Sequence, residues 1–186
     1  MQAGTTMSAT TFSTRRIVIT GVLAAVAILL GITRLGFIPV PNVSGNATIM
    51  HVPAIVGGVL EGPLVGLLVG GIFGLFSWLQ ATSPLFANPL VSVLPRLFIG
   101  VTAALTYMAL RRSNEAIALI MAGVVGTLTN TVLVLGMAII LGLLPAAAVP
   151  GIIPQAIAEI IIAAIITLAV VAGWKRLDKG AGRSSV

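Results

Sequence analysis

Long apolar runs separated by short polar turns fill most of the chain. A helix needs about 20 mostly apolar residues to cross the hydrocarbon core of a membrane. By this criterion the pattern predicts six spanning helices, over residues 17–35, 47–60, 64–79, 90–110, 115–144 and 151–174. The second run is short for a full crossing, so we expect surrounding protein to shield part of it. The predicted fold class is an all-α membrane protein, a compact bundle of six transmembrane helices.

Composition supports lipid as the solvent of this bundle. Hydrophobic residues make up 58% of the chain and charged residues only 8%. Ordinary soluble domains are about a quarter charged, so there is too little charge here to cover a surface that faces water. The absence of cysteine excludes disulfide bonds and thiolate metal sites.

The basic residues predict the orientation of the bundle. In a six-span chain both termini share one side of the membrane with the turns near Glu61 and Arg111. Eight of the ten lysines and arginines fall on that side: Arg15, Arg16, Arg111, Arg112, Lys175, Arg176, Lys179 and Arg183. Because cytoplasmic loops carry an excess of basic residues, both termini are predicted to be cytoplasmic. We divide the chain into a disordered N-terminal tail (1–14), a transmembrane domain (15–176) and a basic cytoplasmic tail (177–186).

A few polar residues interrupt the predicted spans at matching depths. Ionisable groups inside a span cost about 3 kcal/mol on insertion scales, so each needs a partner or a function. At 1.5 Å per residue, Arg96 lies about 8 Å along the fourth span and Glu159 about 12 Å along the sixth. Gln155 lies one turn from Glu159 on the same face. Asn130 is near the middle of the fifth span, and His51 is near the outer end of the second.

These polar residues have two compatible interpretations. In the first, Arg96 and Glu159 neutralise each other and Asn130 bonds across helices. In the second, the residues line a pocket that opens to the outside and holds a small polar molecule. Arg96 offers a fork of donors to a carboxylate or carbonyl, while Glu159, Asn130 and Gln155 bond hydroxyls and amides.

Two aromatic residues and one loop are further candidates for this pocket. Trp78 and Tyr107 are predicted to form apolar walls, although each is equally suited to anchor the protein at the membrane interface. The loop over residues 36–46 lies on the same outer side. It is a candidate lid, with Asn46 as a contributor to binding.

The third span carries a ridge of small residues. Glycine recurs at every fourth position, at Gly62, Gly66, Gly70 and Gly74. Such ridges let helix backbones approach closely in lipid, so packing inside the bundle is the favoured interpretation. A docking face for a partner is the alternative.

The first span carries a second small face. Gly21 and Ala25 lie four residues apart, with Ala24 between them. This face has two equally weighted interpretations, packing within the bundle and docking of a partner protein.

Known catalytic and nucleotide-binding patterns are missing from the sequence. There is no G-x-x-x-x-G-K-[ST] loop, no H-E-x-x-H and no G-x-S-x-G elbow with a companion base. Glu61 and Glu159 are predicted to lie on opposite membrane sides and so form no catalytic pair. We therefore expect no enzyme activity, no metal, no cofactor and no nucleic-acid partner.

Several segments in a fixed order resemble a known family. They are Gly21 with Ala25, the stretch 49–58 followed by Gly62 and Pro63, the run 94–96, the run 126–131 and Glu159. From Arg15 to Trp174 the chain resembles the substrate-binding S component of energy-coupling factor (ECF) vitamin transporters.

The resemblance implies a division of labour. S components are multi-pass proteins of the bacterial cell membrane that capture a vitamin from outside, under the first loop and between the later helices. They then dock on a transmembrane coupling protein driven by a pair of ATPase subunits, so that ATP is used only by the partners. The family docks through the small face of the first helix, which here is Gly21, Ala24 and Ala25. Glycine stands at position 21 where alanine is typical.

Substrate identity follows less directly from the resemblance. The segments 50–53, 95–96 and 129–131 look most like the branch that includes pantothenate transporters, and Arg96 suits the carboxylate of pantothenate. Riboflavin, pyridoxine and hydroxymethylpyrimidine binders share much of this layout.

Two other functions are alternatives, a self-sufficient proton-coupled carrier with Glu159 as the proton site and a scaffold subunit without a ligand. Solitary carriers commonly contain internal repeats, and none is convincing between residues 15–90 and 91–176.

Overall fold

The computed structural model describes residues 13–39, 46–81 and 83–181, and in that part the fold is almost entirely helical. The helices are α1 (Thr14–Ile32), α2 (Val52–Glu61), α3 (Pro63–Leu79), α4 (Pro89–Ser92), α5 (Leu94–Leu110), α6 (Glu115–Ile140) and α7 (Val149–Ala181). A 3-10 turn, Ala146–Ala148, leads into α7. Two short strands, β1 (Phe37–Pro39) and β2 (Asn46–Thr48), pair antiparallel between α1 and α2.

Helix α2 forms the centre of the bundle. It contacts α1, α3, α5, α6 and α7, and every residue from Val52 to Val59 is buried. Its 10 residues rise only about 15 Å, half of a hydrocarbon core. A helix this short and apolar is stable in a membrane because its neighbours surround it. The predicted shielding of the second span is therefore confirmed.

Four segments of the described chain are long and apolar enough to cross a membrane. They are Thr14–Ile32, Pro89–Leu110, Glu115–Ile140 and Ala146–Asp178, while α2 and α3 are shorter apolar helices. The all-helical membrane fold is thus confirmed. The count of six crossings and the cytoplasmic placement of the termini stay predictions.

Several predicted boundaries differ from the structure. The second span was predicted to begin at residue 47, but residues 46–48 pair with 37–39 as a hairpin and the helix begins at Val52. The fifth span ends at Ile140 instead of residue 144, because the chain turns at Gly142 with a φ of 69°. The last helix continues to Ala181, so it includes the first part of the predicted tail. Residues 1–12 and 182–186 lie outside the described residues.

The glycine ridge of α3 packs against the backbone of α5. A Cβ atom at Gly66 would lie 2.7 Å from the carbonyl carbon of Gly100, and one at Gly70 would lie 2.1 Å from the carbonyl oxygen of Arg96. A Cβ atom at Gly74 would lie 2.9 Å from the Cα of Val93. These approaches confirm the packing interpretation of the ridge. Its first member, Gly62, instead forms the turn between α2 and α3, where its φ of 98° favours glycine.

Candidate binding site

A proline-induced helix break positions Arg96. Pro95 has no N–H, so it cannot bond the carbonyl of Val91, and the fourth predicted span divides into α4 and α5 at Val93. The Arg96 guanidinium turns back and donates from Nη1 to the Val91 carbonyl. Arg96 is only 4% exposed, and its buried Nε has no hydrogen-bond partner. The local sequence therefore holds a cation inside the bundle with part of its donor capacity unused.

Two phenylalanine rings flank the Arg96 side chain. The guanidinium carbon lies 5.7 Å from the ring centroid of Phe73 and 5.0 Å from that of Phe86. Both distances are within the range of cation–π attraction, which strengthens when water is excluded. The sequence analysis did not single out either ring. Their placement depends on how α3 and the following loop fold over α5.

A hydrogen-bond chain fixes the state of the His51 ring. Its Nε2 lies 3.0 Å from the Thr127 hydroxyl oxygen, and that hydroxyl donates its one hydrogen to the Gly123 carbonyl over 2.8 Å. Nε2 must therefore be the donor to Thr127. In the neutral ring this leaves Nδ1 as an acceptor. Nδ1 is buried and has no partner.

Glu159 connects the last helix to the first loop. Its Oε1 accepts a hydrogen bond from the backbone N–H of Thr48 in β2 at 2.8 Å and from Gln155 Nε2 at 3.0 Å. The Glu159 side chain is nearly buried, at 5% exposure. The predicted pairing of Gln155 with Glu159 on one helix face is confirmed. The bond to Thr48 was not predicted, because a backbone donor carries no side-chain signal in the sequence.

Glu159 differs from the other three acidic residues of the chain in having no cation beside it. Glu61 pairs with Arg15 at 3.1 Å, Asp178 also pairs with Arg15, and Glu115 pairs with Lys175. Within the described part of the chain, no basic nitrogen lies within 4.0 Å of Glu159. Arg96 attracts the Glu159 carboxylate only through space. The predicted neutralisation of Arg96 by Glu159 therefore does not take the form of a direct ion pair among the described residues.

Asn130 adds a third unpartnered polar atom. It lies one turn beyond Thr127 on α6, and its buried Oδ1 has no hydrogen-bond partner. Together with His51 Nδ1 and Arg96 Nε, it gives this half of the bundle two acceptors and one donor without protein partners. Leaving such a group buried and unsatisfied costs about 1–3 kcal/mol, and native proteins contain only a few. The arrangement suits a ligand that carries both donors and acceptors.

Of the remaining predicted site residues, Trp78 lies at the surface beside the loop that carries Phe86, and Tyr107 lies away from the site. Trp78 is 39% exposed, and its indole N–H donates to the Ala87 carbonyl at 3.1 Å. The Tyr107 hydroxyl contacts Glu115 and Lys175 near the opposite end of α5, about 16 Å from Arg96 along the helix. The side chain of Asn46 and residues 40–45 of the candidate lid lie outside what the structure describes.

The small face of α1 divides between two sides of the helix. Gly21 and Ala25 are exposed, and a Cβ atom at Gly21 would have no neighbour within 4 Å. Ala24 is buried at 5% exposure, on the side that packs against the bundle. Ala27 and Gly31 are buried on that side too. Gly21 and Ala25 are thus accessible to a partner, whereas Ala24 is not.

These features define a helical, multi-pass membrane protein with a buried polar site. A scan of protein families matches residues 15–171 to the family described as ECF transporter, substrate-specific component. The chain therefore belongs to this family. Its members are the substrate-binding components of transporters, and they act with a small-molecule substrate and an ECF module.

A comparison of folds agrees with the family. A solved structure of the S component of a bacterial ECF transporter superimposes with a TM-score of 0.64 at 22% identity. The match covers 91% of this chain and 98% of that one. At this identity the likeness concerns the fold alone. A search of curated proteins found no matching sequence.

Proposed function

We propose that this chain is the high-affinity binding subunit of an ATP-driven ECF importer. In this proposal it spans the bacterial cell membrane six times with both termini in the cytoplasm. It captures a water-soluble vitamin from outside and delivers it through a coupling protein and a pair of ATPase subunits. The observation that carries the proposal is the set of three buried, unpartnered polar atoms on His51, Arg96 and Asn130.

Pantothenate is the favoured substrate. It carries a carboxylate, an amide and two hydroxyl groups. The carboxylate suits the free donor of Arg96, since a charge-assisted hydrogen bond is stronger than a neutral one. The hydroxyls and the amide N–H suit the free acceptors on His51 and Asn130. Riboflavin, pyridoxine and hydroxymethylpyrimidine lack a carboxylate, so they match the Arg96 donor less well.

The first loop is proposed to act as a lid. Strand β2 contacts α7, and the Thr48 N–H bonds the carboxylate of Glu159. Through this bond, movement of the loop is coupled to an acidic side chain of the site. A ligand that binds the Glu159 oxygens in place of the Thr48 N–H releases the loop. A ligand that leaves the bond between Thr48 and Glu159 intact keeps the loop held against α7.

Direct binding measurements test the proposed substrate. We expect calorimetry on the purified protein to give a dissociation constant below about 1 μM for pantothenate, equivalent to more than about 8 kcal/mol. Mass spectrometry of the ligand that co-purifies gives an independent identification. Tight binding of riboflavin, pyridoxine or hydroxymethylpyrimidine in place of pantothenate would transfer the assignment to that vitamin. Failure to bind any of them would contradict the proposal.

Transport assays separate the importer from a solitary carrier. The protein alone in liposomes is expected to bind the vitamin without accumulating it, even with a proton gradient applied. Uptake is expected only after the coupling protein and ATPase pair are added with ATP. Gradient-driven uptake by the isolated chain would contradict the importer.

The exposed face of α1 is proposed to dock on the coupling protein. Gly21→Leu and Ala25→Leu add bulk where a close backbone approach is needed, so we expect uptake by the full complex to fall to background. Substrate affinity should stay within about twofold, because this face lies away from the polar site. Val22→Leu, at a position 56% exposed, is the matched control and should preserve uptake. Normal uptake with both the Gly21→Leu and the Ala25→Leu variants would place docking on another surface.

A further inference from the structure

A cleft between α6 and α7 lies at the far end of the bundle from the polar site. Its volume is about 310 Å³. Leu119, Leu168 and Ala172 form its apolar floor, and Glu115, Lys175 and Arg176 form its polar rim. Measured along α7, Lys175 is about 24 Å from Glu159. The cleft is therefore separate from the proposed vitamin site.

The rim has an excess of positive charge. Lys175 is neutralised, since its ammonium contacts the Glu115 carboxylate and the Tyr107 hydroxyl. Arg176 is exposed and forms no ion pair with any described residue. Arg111 and Arg112, in the turn that leads directly to Glu115, are likewise exposed and unpaired among the residues that the structure places. Arg176 on the rim, and Arg111 and Arg112 in the adjoining turn, thus have no acidic partner in the described chain.

The surface around the cleft is apolar and exposed. On α7, Ile165 lies one turn before the lining residue Leu168 and is 62% exposed, and the lining residue Ala116 on α6 is exposed as well. In a multi-pass membrane protein such a surface faces lipid tails. The cleft therefore opens sideways to lipid, while its cationic rim lies at the helix ends, where headgroups are found.

We propose that this cleft, between the start of α6 and the end of α7, binds an anionic phospholipid. One acyl chain lies on the floor formed by Leu119, Leu168 and Ala172, and the phosphate and its anionic headgroup face Arg176, Arg111 and Arg112. Basic pockets between transmembrane helices bind anionic headgroups in this way, with phosphate contacts that lysine and arginine supply. The apolar floor favours a lipid over a free anion, since a free anion would leave the floor exposed.

The fluorescence of Trp174 provides a direct test. This residue precedes Lys175 and is 44% exposed. In a Trp78→Phe background it is the only tryptophan, and bromine on a neighbouring lipid tail quenches it at short range. The protein is reconstituted in phosphatidylcholine vesicles with increasing fractions of brominated phosphatidylglycerol or brominated phosphatidylcholine. Mixed insertion orientations do not affect the result, because both leaflets have the same composition.

Brominated phosphatidylglycerol is expected to quench Trp174 at a lower mole fraction than brominated phosphatidylcholine. Arg176→Gln should raise the required fraction about fivefold, and the Arg111→Gln/Arg112→Gln pair should raise it further. Arg34→Gln, which removes an exposed arginine from the opposite end of the bundle, is the matched control and should have no effect. Ala116→Phe adds a ring at the exposed edge of the cleft and should abolish the preference without changing the charge.

Three results would overturn the proposal. Equal quenching by the two lipids would remove the headgroup preference. An equal effect of Arg34→Gln and Arg176→Gln, or no effect of Ala116→Phe, would show attraction to the general surface charge without a site. Displacement of phosphatidylglycerol by millimolar inorganic phosphate would assign the rim to a free anion. The quenching experiment depends only on the membership of the chain in this membrane-protein family. Its result is therefore independent of which vitamin the polar site binds.

Discussion

Gly100→Ala is expected to destabilise the bundle by about 3 kcal/mol, although it adds only one methyl group to a helix. A Cβ atom at Gly100 would lie 2.4 Å from the Cα of Gly66 and 2.6 Å from the Ala54 carbonyl oxygen. Both contacts are with backbone, which has no rotamer through which to yield. Helices α2, α3 and α5 must then separate, and α2 loses the packing that keeps a 10-residue helix inside the membrane. Thermal unfolding in detergent, followed by circular dichroism, should show a midpoint about 10 °C lower.

Gly136→Ala is the control for this prediction. Gly136 also lies in a helix, but a Cβ atom there meets nothing within 4 Å. Alanine is favoured over glycine in a helix by about 1 kcal/mol, so this variant should be slightly more stable than the parent. The same substitution is thus expected to have opposite signs at the two positions. A fall of the same size at both would mean that the loss of glycine flexibility, and not close packing at Gly100, causes the destabilisation.

Apolar patterning predicted the helices well because a spanning helix is specified by its length and hydropathy. The sequence also predicted that the second span is shielded, since 14 apolar residues are too few to cross alone. It did not predict the hairpin of residues 37–39 and 46–48. Each strand has only three residues, Phe37–Pro39 and Asn46–Thr48, and a strand this short shows no periodicity in the sequence.

For the candidate site, the sequence gives the depth of each polar residue but not the lateral distances between them. Depth along each helix follows from the rise per residue, and it predicts that Arg96, Glu159, Asn130 and His51 lie in the same half of the bundle. Lateral distance does not follow from depth, so the absence of a direct contact between Arg96 and Glu159 required the structure. Tyr107 is a different case. Its distance of eleven residues from Arg96 already implied about 16 Å along the helix, and that separation argued against a shared wall.

Loss of substrate binding in Arg96→Ala is the second large effect that we expect. Removing one partner of a buried, charge-assisted contact costs about 2–5 kcal/mol, so the dissociation constant should rise at least about 30-fold. Calorimetry with the vitamin identified by co-purification measures this change. Arg34→Ala, at an exposed arginine with a φ of 59°, is the matched control and should leave affinity unchanged.

Arg96 also caps the Val91 carbonyl, so a structural loss must be separated from a binding loss. Glu159→Gln does this, because glutamine has nearly the same shape and its carbonyl oxygen still accepts the Thr48 N–H. The Glu159→Gln variant should therefore fold normally. Its affinity for the vitamin should fall at least tenfold, because it loses a charged acceptor worth about 1.5–3 kcal/mol. Glu115→Gln changes the same side chain at the far end and should bind like the parent. If Arg96→Ala and Glu159→Gln both fold and bind with parental affinity, the buried polar groups serve the bundle alone and the ligand lies elsewhere.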